Sequence, residues 1–174
     1  MEGNSPNYLE SIIMAYIREA LEKDFDQIWE IFHQIVSAGE TFGINRFASK
    51  KEAHQIWIEQ PQKTYVCENN KKILGTYYLK KNHGGGGAHV CNCGYMVDMK
   101  AKGMGLGTMM CEHSQKIAKE LGYKAMQFNL VLVSNKQAVS LWTKLGFDTV
   151  GKIPKAFDHP KIGYVDALVM HKWL

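Results

Sequence analysis

No stretch of eighteen consecutive apolar residues exists in the 174-residue chain, so no membrane-spanning helix is expected. Cysteine is sparse: Cys67, Cys91, Cys93 and Cys111 show no Cys-x-x-Cys spacing. They are too few for a disulfide framework, and a reduced, cytoplasmic setting is expected. The first residues lack a basic stretch, an apolar core and a small-residue cleavage site, so no secretory signal is expected. Internal repeats and breaks in composition are also missing. This points to a single domain over 15–174, preceded by a polar, weakly patterned arm over 1–14 that is expected to be flexible. The net charge of +4 is mild. It suits a polyanionic small ligand and gives no reason to expect nucleic acid or membrane as a partner.

What is present is a regular alternation of elements. Ala15 to Ala20 reads as a first strand. Asp24 with Gln27 forms a capping-box pattern before a helix carrying Phe25, Ile28, Trp29, Phe32, Ile35 and Val36. Ser49 with Glu52 repeats the pattern before Ala53, Ile56 and Trp57, and Pro61 closes that helix. Strands follow over Thr64 to Glu68 and Ile73 to Lys80, joined by a turn at Asn69-Asn70. The run from Asn82 to Gly87 is a loop, and His89 to Val97 a third strand of this group. Leu106, Met109, Met110, Ile117 and Leu121 mark the buried stripe of a helix ended by Gly122. Ala125 to Val133 is an apolar strand, which requires a right-handed parallel crossover. Ser134 with Gln137 caps a helix ended by Gly146. Phe147 to Ile153 and Tyr164 to Lys172 read as a closing antiparallel pair, with Pro154 to Gly163 a loop between them. The tally is α/β: a mixed sheet flanked by helices.

Cys93 to Thr108 is the chemically informative stretch. An apolar strand runs through Lys100 and Lys102 into Gly103-Met104-Gly105-Leu106-Gly107-Thr108, and then into a helix. Glycines at a helix start expose main-chain N–H groups to an anion, with the helix dipole behind them. A Walker loop needs Gly-x4-Gly-Lys-Ser/Thr, which is missing. A dinucleotide fingerprint fails too, since Thr108 holds the third glycine position and Gln127 stands near the expected ribose-binding acid. Downstream, Asn135-x-x-Ala138-x-x-Leu141-Trp142-x-x-Leu145-Gly146-Phe147 forms a second motif.

The two motifs, in this order and at this distance, resemble the acyl-CoA loop and last helix of the GNAT superfamily of N-acetyltransferases. The resemblance covers roughly Tyr16 to Trp173. It implies a mostly antiparallel sheet of about six to seven strands with a central splayed parallel pair, and about four helices. It implies acetyl-CoA as co-substrate, no metal, a small-molecule amine as acceptor, direct attack without an acyl-enzyme, and a homodimer as an open possibility. Pantetheine would pair near Met96 and Val97, the pyrophosphate would rest on Lys102 to Thr108, and Asn135 and Trp142 would border the cofactor arm.

Two positions depart from the family pattern. Trp142 stands where many members place a Tyr that acts as general acid. A thiol of pKa about 8.5 leaves readily as thiolate without one. Asn92 stands where a Glu often serves as base, leaving His89, Glu40, Asp98 and His159 as unplaced alternatives. Asn92 and Asn129 lie on the two splayed strands. They either orient the acceptor or satisfy local backbone, since buried amides need partners. Together with Phe128 to Val131 and Trp142 they also resemble the fungal-type branch that acetylates proline analogues, which favours a small amino acid or amine as acceptor. A rival reading is a non-catalytic acyl-CoA-binding sensor or partner module. A zinc site on His89, Cys91 and Cys93 lacks a fourth ligand.

Overall fold

A computed structural model describes residues 15–174. The expected arm over 1–14 lies outside the described residues. Seven strands form one sheet: β1 (Tyr16–Glu19), β2 (Lys63–Asn69), β3 (Lys72–Lys81), β4 (Val90–Val97), β5 (Ala125–Leu132), β6 (Asp148–His159) and β7 (Gly163–Trp173). Their order is β1-β2-β3-β4-β5-β7-β6. Every pairing is antiparallel except β4 with β5. Four helices cover the faces: α1 (Phe25–Ala38), α2 (Lys50–His54, continued by a wide turn over Gln55–Glu59), α3 (Leu106–Glu120) and α4 (Lys136–Lys144). The expected fold is the one observed.

Strand alternation sends successive side chains to opposite faces and so builds two cores. Phe25, Ile28, Phe32, Trp57, Val66, Ile73 and Met96 pack on the side of α1 and α2. Leu106, Met110, Tyr95, Phe128, Trp142 and Phe147 pack on the side of α3 and α4. On α3 the buried stripe is Leu106, Met110, Cys111, Ser114 and Ala118, while Leu121 is exposed.

Several local expectations shift. Asp24 does not cap α1 with its side chain; its carboxylate accepts from the Leu21 N–H and from Arg18. Gln27, freed from capping, bridges the Lys71 carbonyl and the Ile73 N–H. The Ser49–Glu52 capping box forms as expected. The β2–β3 turn sits one residue later than expected, at Asn70 and Lys71, both with positive φ, as a two-residue hairpin turn needs. The helix expected up to Pro61 widens after His54, where the Gln60 N–H bonds the Gln55 carbonyl. The cap of α4 is Asn135, not Ser134: its Oδ1 accepts from the Ala138 N–H. Pro154 to His159 continues β6 past an irregularity rather than forming a loop. The hairpin tip then meets the α1–α2 connection through a Lys161–Glu40 ion pair.

Candidate acyl-transfer cleft

The parallel pairing of β4 and β5 covers only Val90 with Ala125 and Cys91 with Met126. Beyond this the strands part, and the β5-facing edge of β4 from Asn92 onward has no strand partner among the described residues. On the other side β5 breaks register with β7 between Phe128 and Val131. Such a bulge re-aims side chains, and Asn129 and Leu130 both face the opening. The result is a cleft of about 500 Å³ floored by the diverging strands. Its walls include Thr41, Phe42, Gly43 and Ile44 from the α1–α2 connection, and Asn135, Ala138 and Trp142 from α4.

Asn92 stands at the fork. It is 8% exposed, its Nδ2 donates to the Gln127 carbonyl at 2.9 Å, and its Oδ1 accepts from the Tyr78 hydroxyl at 3.3 Å. Where backbone pairing ends, this side chain spans the gap in its place. Asn129 differs from the expectation of a buried amide: it is exposed, because the bulge turns it outward. It accepts from Gln127 Nε2 at 2.9 Å and donates to Asn82 Oδ1 at 2.6 Å. The Asn82 Nδ2 is buried and has no partner among the described residues. Asn92→Ala is expected to cost about 1–3 kcal/mol, since the Gln127 carbonyl is left without its donor, and to lower turnover. Asn129→Ala should cost less than about 1 kcal/mol. Urea unfolding and acetyl-transfer rates on both variants separate the fork role from an acceptor contact: unchanged stability and rate in Asn92→Ala would overturn it.

The glycine loop follows β4. Gly103 and Gly105 have φ of +81° and +74°, and a Cβ added at either would meet nothing within 4 Å. Gly105 is the N-cap of α3, so the N–H groups of Leu106, Gly107 and Thr108 have no acceptor within the helix. Lys102 is exposed beside them and Met104 half-buried. This is an open, donor-rich cradle of the kind an anionic cofactor arm needs. Met96 is buried in the α1–α2 core and Val97 is half-buried, so only their main chain can serve such an arm. Asn135 has spent its Oδ1 on capping, leaving Nδ2 as its free donor. The structure thus brings Asn92, Asn129, Asn135 and Trp142 together on the cleft, while Lys102 to Thr108 lie outside its walls, beyond the end of β4.

None of the alternative bases lines the cleft. His89 Nδ1 donates to the Gly86 carbonyl before β4 begins. Asp98 receives the Lys100 N–H, Glu40 pairs with Lys161, and His159 Nδ1 accepts from the Lys161 N–H. The lining thiol, Cys93, is pushed well above the ordinary thiol range by burial. Burial also pushes Tyr78 up to about 12. Among the described residues no group of three His, Cys, Asp or Glu side chains could hold a metal ion.

Sequence reasoning missed Tyr78, Lys80 and Asn82, which line the cleft from β3 and its end. The only trace was Gly94: a Cβ there would lie 2.7 Å from the Tyr78 ring, so a glycine on β4 signals an aromatic ring opposite.

The splayed parallel pair within a mostly antiparallel sheet defines an acetyltransferase-type fold, and the comparisons agree. The model of the Acetyltransferase (GNAT) family matches residues 16–147, and the chain belongs to that family. A GCN5-related N-acetyltransferase structure from Kribbella flavida is 37% identical, covers 93% of this chain and 99% of its own, and superimposes with a TM-score of 0.89. N-acetyltransferase aca1 of Schizosaccharomyces pombe is 34% identical over 100 residues, which are 56% of this chain and 47% of that protein. The matched part is thus about half the length of that relative. A putative acetyltransferase from Salmonella typhimurium, solved with acetyl-CoA, shares the fold at a TM-score of 0.78 and 21% identity, covering 92% of this chain and 94% of its own.

Proposed function

We propose that this protein transfers the acetyl group of acetyl-CoA to the amine of a small molecule, by direct attack in a ternary complex. The observation that carries the reading is the fork of β4 and β5, which opens a cleft between a glycine cradle and an amide-lined acceptor end. The open space at Gly103 and Gly105 fits an anionic cofactor arm on Lys102 to Thr108, with Asn135 Nδ2 and the main chain of Met96 and Val97 alongside. Acetyl-CoA, when bound there, supplies an activated thioester. The chain's contribution is to hold and orient. Main-chain N–H groups on the unpaired edge of β4 are suited to stabilise charge on a carbonyl oxygen.

Direct attack is favoured by the state of Cys93. A thiol kept protonated by burial is a poor nucleophile, so an acyl-enzyme has no evident carrier in the cleft. With no Asp, Glu or His in the lining among the described residues, this reading has the acceptor amine arrive neutral or shed its proton to water. For an amine two units above ambient pH, that selection costs roughly 2.7 kcal/mol, which an enzyme can bear.

The test is thermal unfolding with acetyl-CoA, CoA and NADH side by side, followed by thiol release across an amine panel. A ligand at about 100 times its dissociation constant stabilises by roughly 2.7 kcal/mol, or about 5–11 °C here. Such a shift with both CoA species and none with NADH, followed by thiol release, is expected. A shift without thiol release from any amine would favour a binding module, and no shift would remove the cofactor assignment.

A further inference from the structure

The cleft lining carries positive charge with no carboxylate to match it among the described residues. Tyr78, Lys80, Asn92 and Asn129 all line it, and Lys80 stands directly opposite Asn92 in the β3–β4 register. Lys80 is half-buried, and its Nζ sits 5.1 Å from the centroid of the Tyr78 ring. It forms no ion pair and no hydrogen bond among the described residues. The lining contains a second lysine, the exposed Lys81, and no Asp or Glu among the described residues. An ammonium held over one ring face, in a lining without a carboxylate among the described residues, favours an anionic group on whatever fills the cleft. The missing partner is therefore a ligand anion.

That anion is not the cofactor's pyrophosphate. Asn92, opposite Lys80, precedes Val97 by five residues, about 16 Å of strand, and the glycine cradle lies further on. Phe42, Ile44, Ile56 and Leu130 supply apolar walls to the same cleft. We infer that Lys80 is a specificity-determining residue that selects acceptor amines carrying a carboxylate on a compact, partly apolar body. The inference rests on reading the cleft as an acetyl-transfer site.

The experiment compares common amino acids with their carboxamides, by thiol release and by calorimetric binding of the N-acetylated pairs to CoA-saturated protein. A hydrogen-bonded charge pair predicts roughly ten- to hundredfold preference for the carboxylate member. The comparison is a conservative one. A carboxamide's amine resembles a peptide α-amine of pKa about 7.7–8.0, so more of it is neutral and ready to react. In Lys80→Met the carboxylate-to-carboxamide ratio should collapse toward one, and Lys80→Arg should restore part of it. Equal use of both members by the native protein, or a ratio unchanged in Lys80→Met, overturns the role of Lys80. If no amine releases thiol, the proposed reaction falls, and the calorimetric ratio still decides whether Lys80 reads a carboxylate.

Discussion

Trp142→Ala is expected to lower stability by about 3–5 kcal/mol, a fall of about 6–20 °C in melting temperature for a domain of this size. The indole is 9% exposed and lies 4.9 Å from the Phe128 ring and 5.1 Å from the Tyr95 ring, centroid to centroid. Phe128 in turn stacks on Phe147 at 4.4 Å. Removing the central ring leaves a void that these neighbours, held by β4, β5 and the end of α4, cannot close. The void adjoins the cleft, so cofactor affinity should fall with stability. Calorimetric melting and acetyl-CoA titration measure the two losses. Trp142→Tyr separates packing from chemistry, because it keeps a ring and adds a hydroxyl. A gain of ~100-fold in turnover, the size of a general-acid effect, would show that thiolate protonation limits the native protein; little change is expected. A melting temperature unchanged in Trp142→Ala would mean that the aromatic cluster does not support the cleft.

The second large effect is expected at Arg18. Its guanidinium bonds Asp24 Oδ2 at 2.6 Å and Oδ1 at 2.9 Å, and Glu68 Oε2 at 2.8 Å through Nε. Both carboxylates are nearly buried, with side chains 6% and 9% exposed. The Arg18 hydrogen bonds hold Asp24 below the ordinary carboxylate range against its burial. For Glu68, burial pushes upward, and the bonds from Arg18 and Tyr16 outweigh it. Because both folded-state pKa values are depressed, this stabilisation is complete only above the unfolded carboxylate values, from about pH 5 upward. It is lost as pH falls through the lower folded values. Arg18→Ala leaves two buried carboxylates side by side, which should cost about 3 kcal/mol, the low end of the range because solvent reaches the site. In the variant the sign reverses. Like-charge repulsion and burial raise both folded pKa values, so its deficit is largest at neutral pH and shrinks on acidification. Urea unfolding at pH 7 and pH 4 checks this; equal deficits at both would show that Arg18 acts through packing alone.

Much of the fold was legible because its signals are local. Ser49 with Glu52 stated a helix start, Gly122 and Gly146 stated two helix ends, and both adopt positive φ. The glycine turn at the helix start was readable from Gly103, Gly105 and Gly107, whereas the fork came only with the family resemblance that the two motifs carry. What the sequence hid depends on contacts distant along the chain. Asp24 looked like a cap, but Arg18 and the Leu21 N–H compete for the same carboxylate. Asn129 looked like a buried amide, since nothing in an apolar run announces a bulge against β7. Tyr78 and Lys80 read as ordinary strand residues, and only the register with Gly94 and Asn92 shows that they line the cleft.

The strand order carries a consequence for synthesis. β7, the last of the seven strands to be made, lies inside the sheet between β5 and β6. Until the ribosome has delivered it, the apolar Ala125–Leu132 strand has an open edge, the feature that recruits wrong partners. The nascent chain therefore carries the glycine loop and the last helix before it can close the sheet that supports them. Its exposure to misassembly is concentrated in that interval.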